Sequence, residues 1–295
     1  MSAVCLYLLG KNVQENYEQL PHLKLDFEFF VCNLATTALF CITQFSGAVI
    51  FYMLVSWEEF RPKFFDCLQI QARANLGKYL LGNVVHLAGK FLLATKAGLR
   101  KEVVIAAMAL ENALAALAAI AMSLPFVMQH PQLVEKFVAE GMSWKIYAAV
   151  IVAGVFVGFA AFKFEKVVAF YHKVRPTLRP MRLIGVLLIN VVDYFIFALG
   201  LVILQKFFGV AESLHVLDYC WGFALAWIIG VIVPVGPAGI GVREFVLVTI
   251  YGARLGVGPA SALFLLIRLN SILGDLVFFA VVEGARFLRR DQNGA

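Results

Sequence analysis

Long apolar stretches recur along the whole chain and are separated by short polar segments. An α-helix needs about 20 apolar residues to cross the roughly 30 Å of hydrocarbon in a bilayer. Five segments meet this requirement: Phe29 to Val55, Val103 to Met128, Trp144 to Phe162, Leu183 to Phe207 and Pro259 to Phe287. The pattern therefore predicts an all-α polytopic membrane protein with about five spanning helices.

Two further apolar regions are interrupted near their middle by residues that break helices. The first runs from Phe64 to Leu99 with a break at Leu81-Gly82-Asn83, and the second runs from Leu214 to Gly252 with a break from Pro234 to Gly239. Each region is predicted to be a re-entrant helical hairpin with a bent tip. Backbone at such a tip loses helical hydrogen bonds, which hydrocarbon tolerates only where the tip is buried in protein or lines a wet cavity. The two tips are therefore candidate sites.

Loop charge predicts how the chain lies in the membrane. The chain is 62% hydrophobic and 15% charged, its formal net charge is +6, and the segment Lys163 to Arg182 is rich in lysine and arginine. Because cytoplasmic loops carry such an excess of basic residues, we expect this segment and a tail at 288–295 to be cytoplasmic. We expect residues 1–28 to lie outside or at the interface, and 29–287 to form one domain in the inner membrane of a bacterium.

Several other classes of function have no support in the sequence. No segment is long enough to be a soluble basic module, so a nucleic-acid partner is not expected. The cysteines are odd in number and scattered, and the histidines are dispersed, so neither a disulfide framework nor a metal site is indicated. No cofactor is indicated, and the oligomeric state does not follow from the sequence.

A weak internal repeat accompanies this organisation. A shift of about 154 residues lays Gly89 to Thr95 on Arg243 to Thr249, and after a short insertion it brings Glu111 opposite Arg268. The repeats would be about 29–128 and 183–287, joined by the span 144–162, and that single connecting span would give them opposite orientations. Many transporters build a substrate site from inverted repeats whose broken helices meet near the midplane.

Arg243 and Glu244 directly follow the tip of the second hairpin, which contains Gly236, Gly239 and Gly241. Glycines let backbone N–H groups approach a ligand, the helix that begins there points its positive end at the tip, and arginine binds phosphate in a bidentate way. We therefore predict a substrate-binding role for these five residues. The alternative is that Arg243 and Glu244 pair with other buried charges and hold the tip in shape.

His86 and Lys90 are four residues apart in the second arm of the first hairpin, so they share one helix face. They are predicted to point into the same cavity, where Lys90 would neutralise a second phosphate oxygen. The alternatives are an interior histidine of structural role and a lysine that extends to the cytoplasmic interface.

Four more ionisable residues lie within predicted spans: Glu111, Asp193, Arg268 and Asp275. Charges in hydrocarbon are costly and normally face the interior of the helix bundle, where they pair. We predict that these four form a buried charge network; Arg243 and Arg268 are candidate partners for Glu111 or Asp193, and the sequence does not assign them. A purely structural role is equally compatible, and Asp275 would otherwise belong to the interfacial end of the last span.

The segment Val233 to Val248 resembles the Pro-x-Pro-Gly-Gly-Leu-Gly-Val-Arg-Glu signature of the flippase-like membrane domain found in lysylphosphatidylglycerol synthases and in stand-alone membrane proteins. The stretch Gly77 to Asn83 is similar to the family's Tyr-Leu-Pro-Gly stretch, with Leu81 in place of the proline. The resemblance covers the chain from about Phe29 onward. The chain departs from the family pattern in that the usual first span is expected to be absent or cut to Met1 to Gly10, and no synthase chemistry is expected because no synthase domain follows Ala295.

This resemblance implies translocation of an amphiphilic, anionic or phosphate-bearing lipid between the membrane leaflets. The cargo could be a phospholipid, an aminoacyl-phospholipid, a polyprenol-linked sugar or a hopanoid. Two alternatives stay open, a membrane-embedded enzyme and an accessory subunit that binds lipid-synthesis enzymes. No catalytic constellation stands out, so we do not expect an enzyme, and acidic groups could carry a coupling proton.

Overall fold

The computed structural model describes residues 26–56, 62–81, 83–129, 179–208, 210, 212–232 and 241–292, and the regular structure of these residues is entirely helical. The described α-helices are α1 (Phe27–Val55), α2 (Phe64–Leu81), α3 (Asn83–Lys96), α4 (Lys101–Gln129), α5 (Pro180–Gln205), α6 (Val216–Ile232), α7 (Val242–Leu255) and α8 (Val257–Gln292). A 3₁₀ turn, Lys206–Phe208, extends α5. The predicted all-α fold is confirmed.

Within these residues, α1, α4, α5 with its 3₁₀ turn, and α8 are long and apolar enough to cross a membrane. Each begins two or three residues before its predicted start. Local signals explain two of these starts, because the Asp26 carboxylate accepts a hydrogen bond of 2.9 Å from the Phe29 N–H and Pro180 is the first residue of α5. The chain is thus a multi-pass membrane protein. The predicted span Trp144 to Phe162 lies outside the described residues.

The two broken apolar regions form helical pairs. In the first, α2 ends at Leu81 and α3 begins at Asn83, as the sequence predicted. In the second, α6 ends at Ile232 and α7 begins at Val242, with Gly241 in the positive-φ region (φ 90°) that favours glycine. The tip residues Gly82, Gly236 and Gly239 lie outside the described residues. The entry of each hairpin from one face of the membrane stays a prediction.

The helix contacts follow the predicted repeat. A shift of about 154 residues maps α1 to α4 onto α5 to α8 in order. The α1 and α5 helices pack against each other, α2 packs against α8, and α6 packs against α4. The contact of α1 with α8 has its counterpart in the contact of α5 with α4. This exchange of partners supports a two-fold repeat, while its inverted orientation in the membrane stays a prediction.

The interface between α1 and α8 joins the two repeats at close range. A Cβ added to Gly274 would lie 2.6 Å from Phe40 Cβ, so the two helices approach within a distance that only glycine allows. One turn away, Thr37 Oγ1 donates a hydrogen bond of 2.9 Å to Asn270 Oδ1, and Asn270 Nδ2 donates one of 2.9 Å to Asn33 Oδ1. These polar groups satisfy one another away from water, as hydrocarbon requires.

Candidate functional site

A cavity of about 490 Å³ lies where the two repeats meet. All eight described helices contribute to its wall. The polar lining residues are Thr43, Gln44, Asn75, Lys78, His86, Glu111, Asn112, Asn190, Asp193, Arg243, Glu244, Arg268 and Ser271. The rest of the wall is mainly apolar and aromatic and includes Phe40, Tyr194, Phe197, Phe223, Trp227 and Phe264. The volume is within the range of small-molecule sites, and about half of the lining residues are polar, which is more than such sites usually have.

Arg243 lines this cavity from the first turn of α7 and lies against the facing arm of its hairpin. Its guanidinium carbon is 5.8 Å from the centre of the Trp227 ring on α6, within the range of a cation–π contact. A Cβ at Gly230 would come within 2.8 Å of Arg243 Cγ, so the absent side chain at 230 makes room for the arginine. The buried Nε of Arg243 has no hydrogen-bond partner among the described residues. A buried donor without a partner is costly, and arginine binds phosphate and carboxylate groups in a bidentate way.

Glu244 forms a hydrogen bond at the start of its own helix and no ion pair with Arg243 in the described residues. Its Oε2 accepts a hydrogen bond of 2.8 Å from the Gly241 N–H, which closes the first turn of α7. Its Oε1 lies 3.7 Å from Arg268 Nε on α8. Both side chains are largely buried, with 6% and 16% of their surfaces exposed. Glu244 thus fixes the helix that presents Arg243.

Lys90 forms the closest ion pair of the first repeat. Its Nζ donates to both carboxylate oxygens of Glu111 on α4, at 2.6 and 2.8 Å. The Nζ also lies 4.5 Å from the centre of the Phe51 ring, and the lysine is only 1% exposed. Lys90 therefore does not extend to the interface, and Glu111 stands between it and the cavity. The expectation that Arg243 or Arg268 pairs with Glu111 is wrong, because Lys90 reaches Glu111 from the adjacent hairpin arm.

The two ion pairs occupy equivalent places in the two repeats. Lys90 and Glu244 are 154 residues apart, each on the second arm of a hairpin, and their partners Glu111 and Arg268 lie on the following long helix. The positions of the charges are exchanged between the two pairs. The cation lies on the hairpin in the first repeat and on the long helix in the second. This arrangement supports the sequence repeat, and it leaves Arg243 opposite Gly89, which carries no charge.

Asp193 lies in the middle of α5 and faces α1. Its two carboxylate oxygens are 2.8 and 2.6 Å from the Ser46 hydroxyl, which is itself 2.8 Å from the Thr43 carbonyl oxygen. No described cation forms an ion pair with Asp193. The expectation that an arginine pairs with Asp193 is therefore also wrong, because α1 offers a hydroxyl at this place.

Asp275 is an interior residue of α8 and not part of its interfacial end. It is 1% exposed, Lys78 Nζ lies 2.5 Å from its Oδ2, and the Tyr79 hydroxyl donates to the same oxygen. This cluster joins the first hairpin to the second repeat, and Lys78 also lines the cavity. At the end of the same interface Arg73 forms a bidentate pair with Glu283, at 2.7 and 2.9 Å.

His86 lines the cavity and also joins the arms of its hairpin. Its Nδ1 is 3.0 Å from the Ala74 carbonyl oxygen, and because a carbonyl only accepts, Nδ1 carries the proton and donates. The described members of the predicted binding set that line the cavity are thus His86, Arg243 and Glu244, whereas Lys90 lies one layer behind. Their role as substrate ligands stays a prediction.

Sequence reasoning missed several residues of the site, namely Ser46, Lys78, Trp227 and Gly230. The signal for Lys78 was present, because an ionisable residue in an apolar hairpin arm carries the same insertion cost as those selected. Ser46, Trp227 and Gly230 look like ordinary residues of membrane helices. Their importance follows only from their contacts with Asp193 and Arg243.

The geometry defines a polytopic membrane protein with a partly charged cavity between two repeats. The family model of the lysylphosphatidylglycerol synthase TM region matches residues 1–277, so the chain belongs to that family. No curated protein and no solved structure matches the chain. Membership supports a lipid-related role in the membrane.

Proposed function

We propose that the protein moves an amphiphilic lipid with an anionic, phosphate-bearing headgroup between the leaflets of a bacterial inner membrane. The observation that carries this proposal is the partly buried Arg243 side chain, which lines the cavity between the repeats and whose Nε has no hydrogen-bond partner among the described residues. A buried donor left without a partner costs about 1–3 kcal/mol, and more when the group is charged. A ligand that supplies an anionic oxygen removes this cost.

The chemistry of Arg243 favours a phosphate or carboxylate over a neutral headgroup. Its planar fork donates two parallel hydrogen bonds to such groups. Arg268 lies on the facing helix α8 and also lines the cavity, beside the Glu244 carboxylate that neutralises it. The site therefore holds a positive group at one wall without a large excess of charge.

The shape of the cavity suits a lipid whose acyl chains stay outside the protein. Leu87 and Val231 line the cavity and are exposed, at 38% and 46%. Exposed apolar residues in the wall would let hydrocarbon chains extend sideways into the bilayer while the headgroup enters the cavity. Its approximate volume of 490 Å³ is within the usual range for a headgroup-sized ligand.

Movement between leaflets requires that the cavity opens to each side in turn. Both repeats form its wall, so a rocking of one repeat against the other changes its access without dismantling either half. The lipid would shift the balance between the two states by its different affinity for each.

The test is a lipid-movement assay with the full chain in liposomes. Labelled phosphatidylglycerol is placed in both leaflets, and a quencher that cannot cross the membrane reports how fast the inner label reaches the outside. Arg243→Ala is expected to slow this movement by about 30- to 150-fold, which corresponds to the loss of about 2–3 kcal/mol of charged hydrogen bonding. Arg243→Lys keeps the charge but loses the planar pair of donors, so its rate of lipid movement should lie between those of the wild type and Arg243→Ala.

Arg254→Ala is the matched control, because Arg254 lies on the same helix but outside the cavity. It is 40% exposed and pairs with Glu212 at 2.5 Å, which holds the pKa of the Glu212 carboxyl below its usual value. This variant should move lipid at the wild-type rate. Equal rates for the wild type and Arg243→Ala would refute the proposal. A changed lipid species by mass spectrometry would favour an enzyme, and movement only after co-purification with a synthase would favour an accessory subunit.

A further inference from the structure

We propose that Asp193 and Ser46 form a proton-binding site that couples lipid movement to a proton gradient. The inference rests on the proposed function and names its source of energy. It concerns the one carboxylate of the described cavity wall that has a hydroxyl, and no cation, as its partner. The other two, Glu111 and Glu244, pair with Lys90 and Arg268.

The geometry satisfies Asp193 in both of its protonation states. A serine hydroxyl has one proton and two acceptor positions. When Asp193 is ionised, the Ser46 proton can point to the carboxylate, whose oxygens are 2.6 and 2.8 Å away. When Asp193 is protonated, it donates to Ser46 Oγ, and the serine proton turns to the Thr43 carbonyl oxygen at 2.8 Å. A rotation of one hydroxyl therefore accommodates the gain or loss of a proton without an unsatisfied group.

The surroundings leave Asp193 free to change its charge. Its helix, α5, packs against α1, α4, α6 and α8, and ionisable groups face the cavity from α4 (Glu111) and α8 (Arg268). The other ionisable groups of the wall are Lys78, His86, Tyr194, Arg243 and Glu244. None of the cations among them forms an ion pair with Asp193 in the described residues. A partly buried carboxylate without a counter-ion, within a membrane span, is the kind of group that carries protons in membrane transporters.

The proton step is simple to balance. A proton from cavity water binds one Asp193 oxygen, which removes one negative charge from the wall, and the same proton leaves to water when the cavity opens on the other side. Protonation makes the cavity more positive, so it strengthens the binding of an anionic headgroup to Arg243. By linkage the headgroup strengthens proton binding by the same factor. For charges on Asp193 and the headgroup that are roughly 10 Å apart, Coulomb's law with an effective dielectric constant of about 20 changes each binding affinity by a factor on the order of tenfold.

The experiment uses the full chain in liposomes that contain labelled phosphatidylglycerol, with a pH-sensitive dye inside. For the wild type we expect a lipid rate that depends on pH, a net redistribution of label under an imposed pH gradient, and a dye signal that requires the anionic lipid. Asp193→Asn fixes the neutral form, so its lipid movement should be independent of pH, and its dye signal should be lost. Glu212→Gln removes an exposed carboxylate outside the cavity, so this variant should retain the wild-type response.

A second pair of variants keeps the test decisive if Asp193→Asn fails to fold. Ser46→Ala removes the donor to the ionised carboxylate, so the pH midpoint of lipid movement should shift upward by about one unit, a tenfold change in proton affinity. Ser46→Thr keeps the hydroxyl and should restore the midpoint. If the wild type moves lipid but neither Asp193→Asn nor Ser46→Ala changes the pH response, the proton site is refuted while the transport function stands. If the wild type moves no lipid, the proposed function itself fails.

Discussion

Replacement of Lys90 by methionine tests how the ion pair in the first repeat contributes to folding. Methionine keeps the length of the apolar stem and removes only the ammonium group. Lys90 is 1% exposed and Glu111 is 20% exposed, with Nζ to Oε distances of 2.6 and 2.8 Å. The substitution therefore leaves a mostly buried carboxylate without its counter-ion.

The expected cost is a loss of about 2–4 kcal/mol in the free energy of unfolding. Breaking a buried pair by removing one partner typically costs about 3–5 kcal/mol. Protonation limits the cost, since neutralising a carboxyl group that ionises at about pH 4.3 in water takes about 3.7 kcal/mol at pH 7. Water in the cavity reaches part of Glu111 and lowers the cost further. The corresponding fall in Tm is roughly 5–15 °C.

The measurement is unfolding in detergent micelles, combined in a double-mutant cycle. Glu111→Gln in the Lys90→Met background should recover most of the lost stability, because no charge is then left unpaired. The exchange Lys90→Glu with Glu111→Lys should also be tolerated, since Glu244 and Arg268 already hold that order of charges in the second repeat. A loss below about 1 kcal/mol for Lys90→Met, or a coupling energy near zero, would refute the reasoning.

Three glycine substitutions separate the cavity from the helix packing. Gly230→Ala should slow lipid movement at least several-fold without unfolding the protein. The new Cβ would lie 2.8 Å from the flexible Arg243 side chain and displace it. An unchanged rate in liposomes would contradict this expectation. Gly274→Ala should lower the free energy of unfolding by about 2 kcal/mol or more. The new Cβ would lie 2.6 Å from Phe40 Cβ and close to the backbone of α1. A stable variant in the same micelle assay would show that α1 and α8 separate easily. Gly89→Ala, with nothing within 4 Å of its Cβ, should raise stability by about 0.5–1 kcal/mol through helix propensity, and a loss would mean that the helix is distorted there.

Most of the described fold could be predicted from the sequence because hydrocarbon imposes strict rules on the chain. Four of the five long apolar runs are helices long enough to span a membrane, and α2 ends at Leu81 and α3 begins at Asn83, within the predicted break. Charges and glycines mark the helix ends less sharply, so the starts moved by two or three residues. Lys90 and Glu244, which a shift of 154 residues aligns, each form an ion pair with the long helix that follows their hairpin.

The partners within the site could not be predicted, because pairing depends on which helix faces which. The sequence offered two arginines for Glu111 and Asp193, but a lysine and a serine occupy those places. Insertion costs identify which charges must be buried and say nothing about their neighbours. The space for Arg243 depends on a missing side chain at Gly230, which only the packing of α6 against α7 reveals.

The two repeats differ at a pair of equivalent positions, where the first has Gly89 and the second has Arg243. Gly89 and Arg243 are 154 residues apart, and only the second carries a cation into the shared space. If two identical repeats exchanged conformations during transport, the two end states would have equal energy. In the proposed carrier, one end state would place the guanidinium differently from the other, so the empty protein should favour one of them. Arg243 would then be one of the side chains that decide which side of the membrane the empty cavity faces.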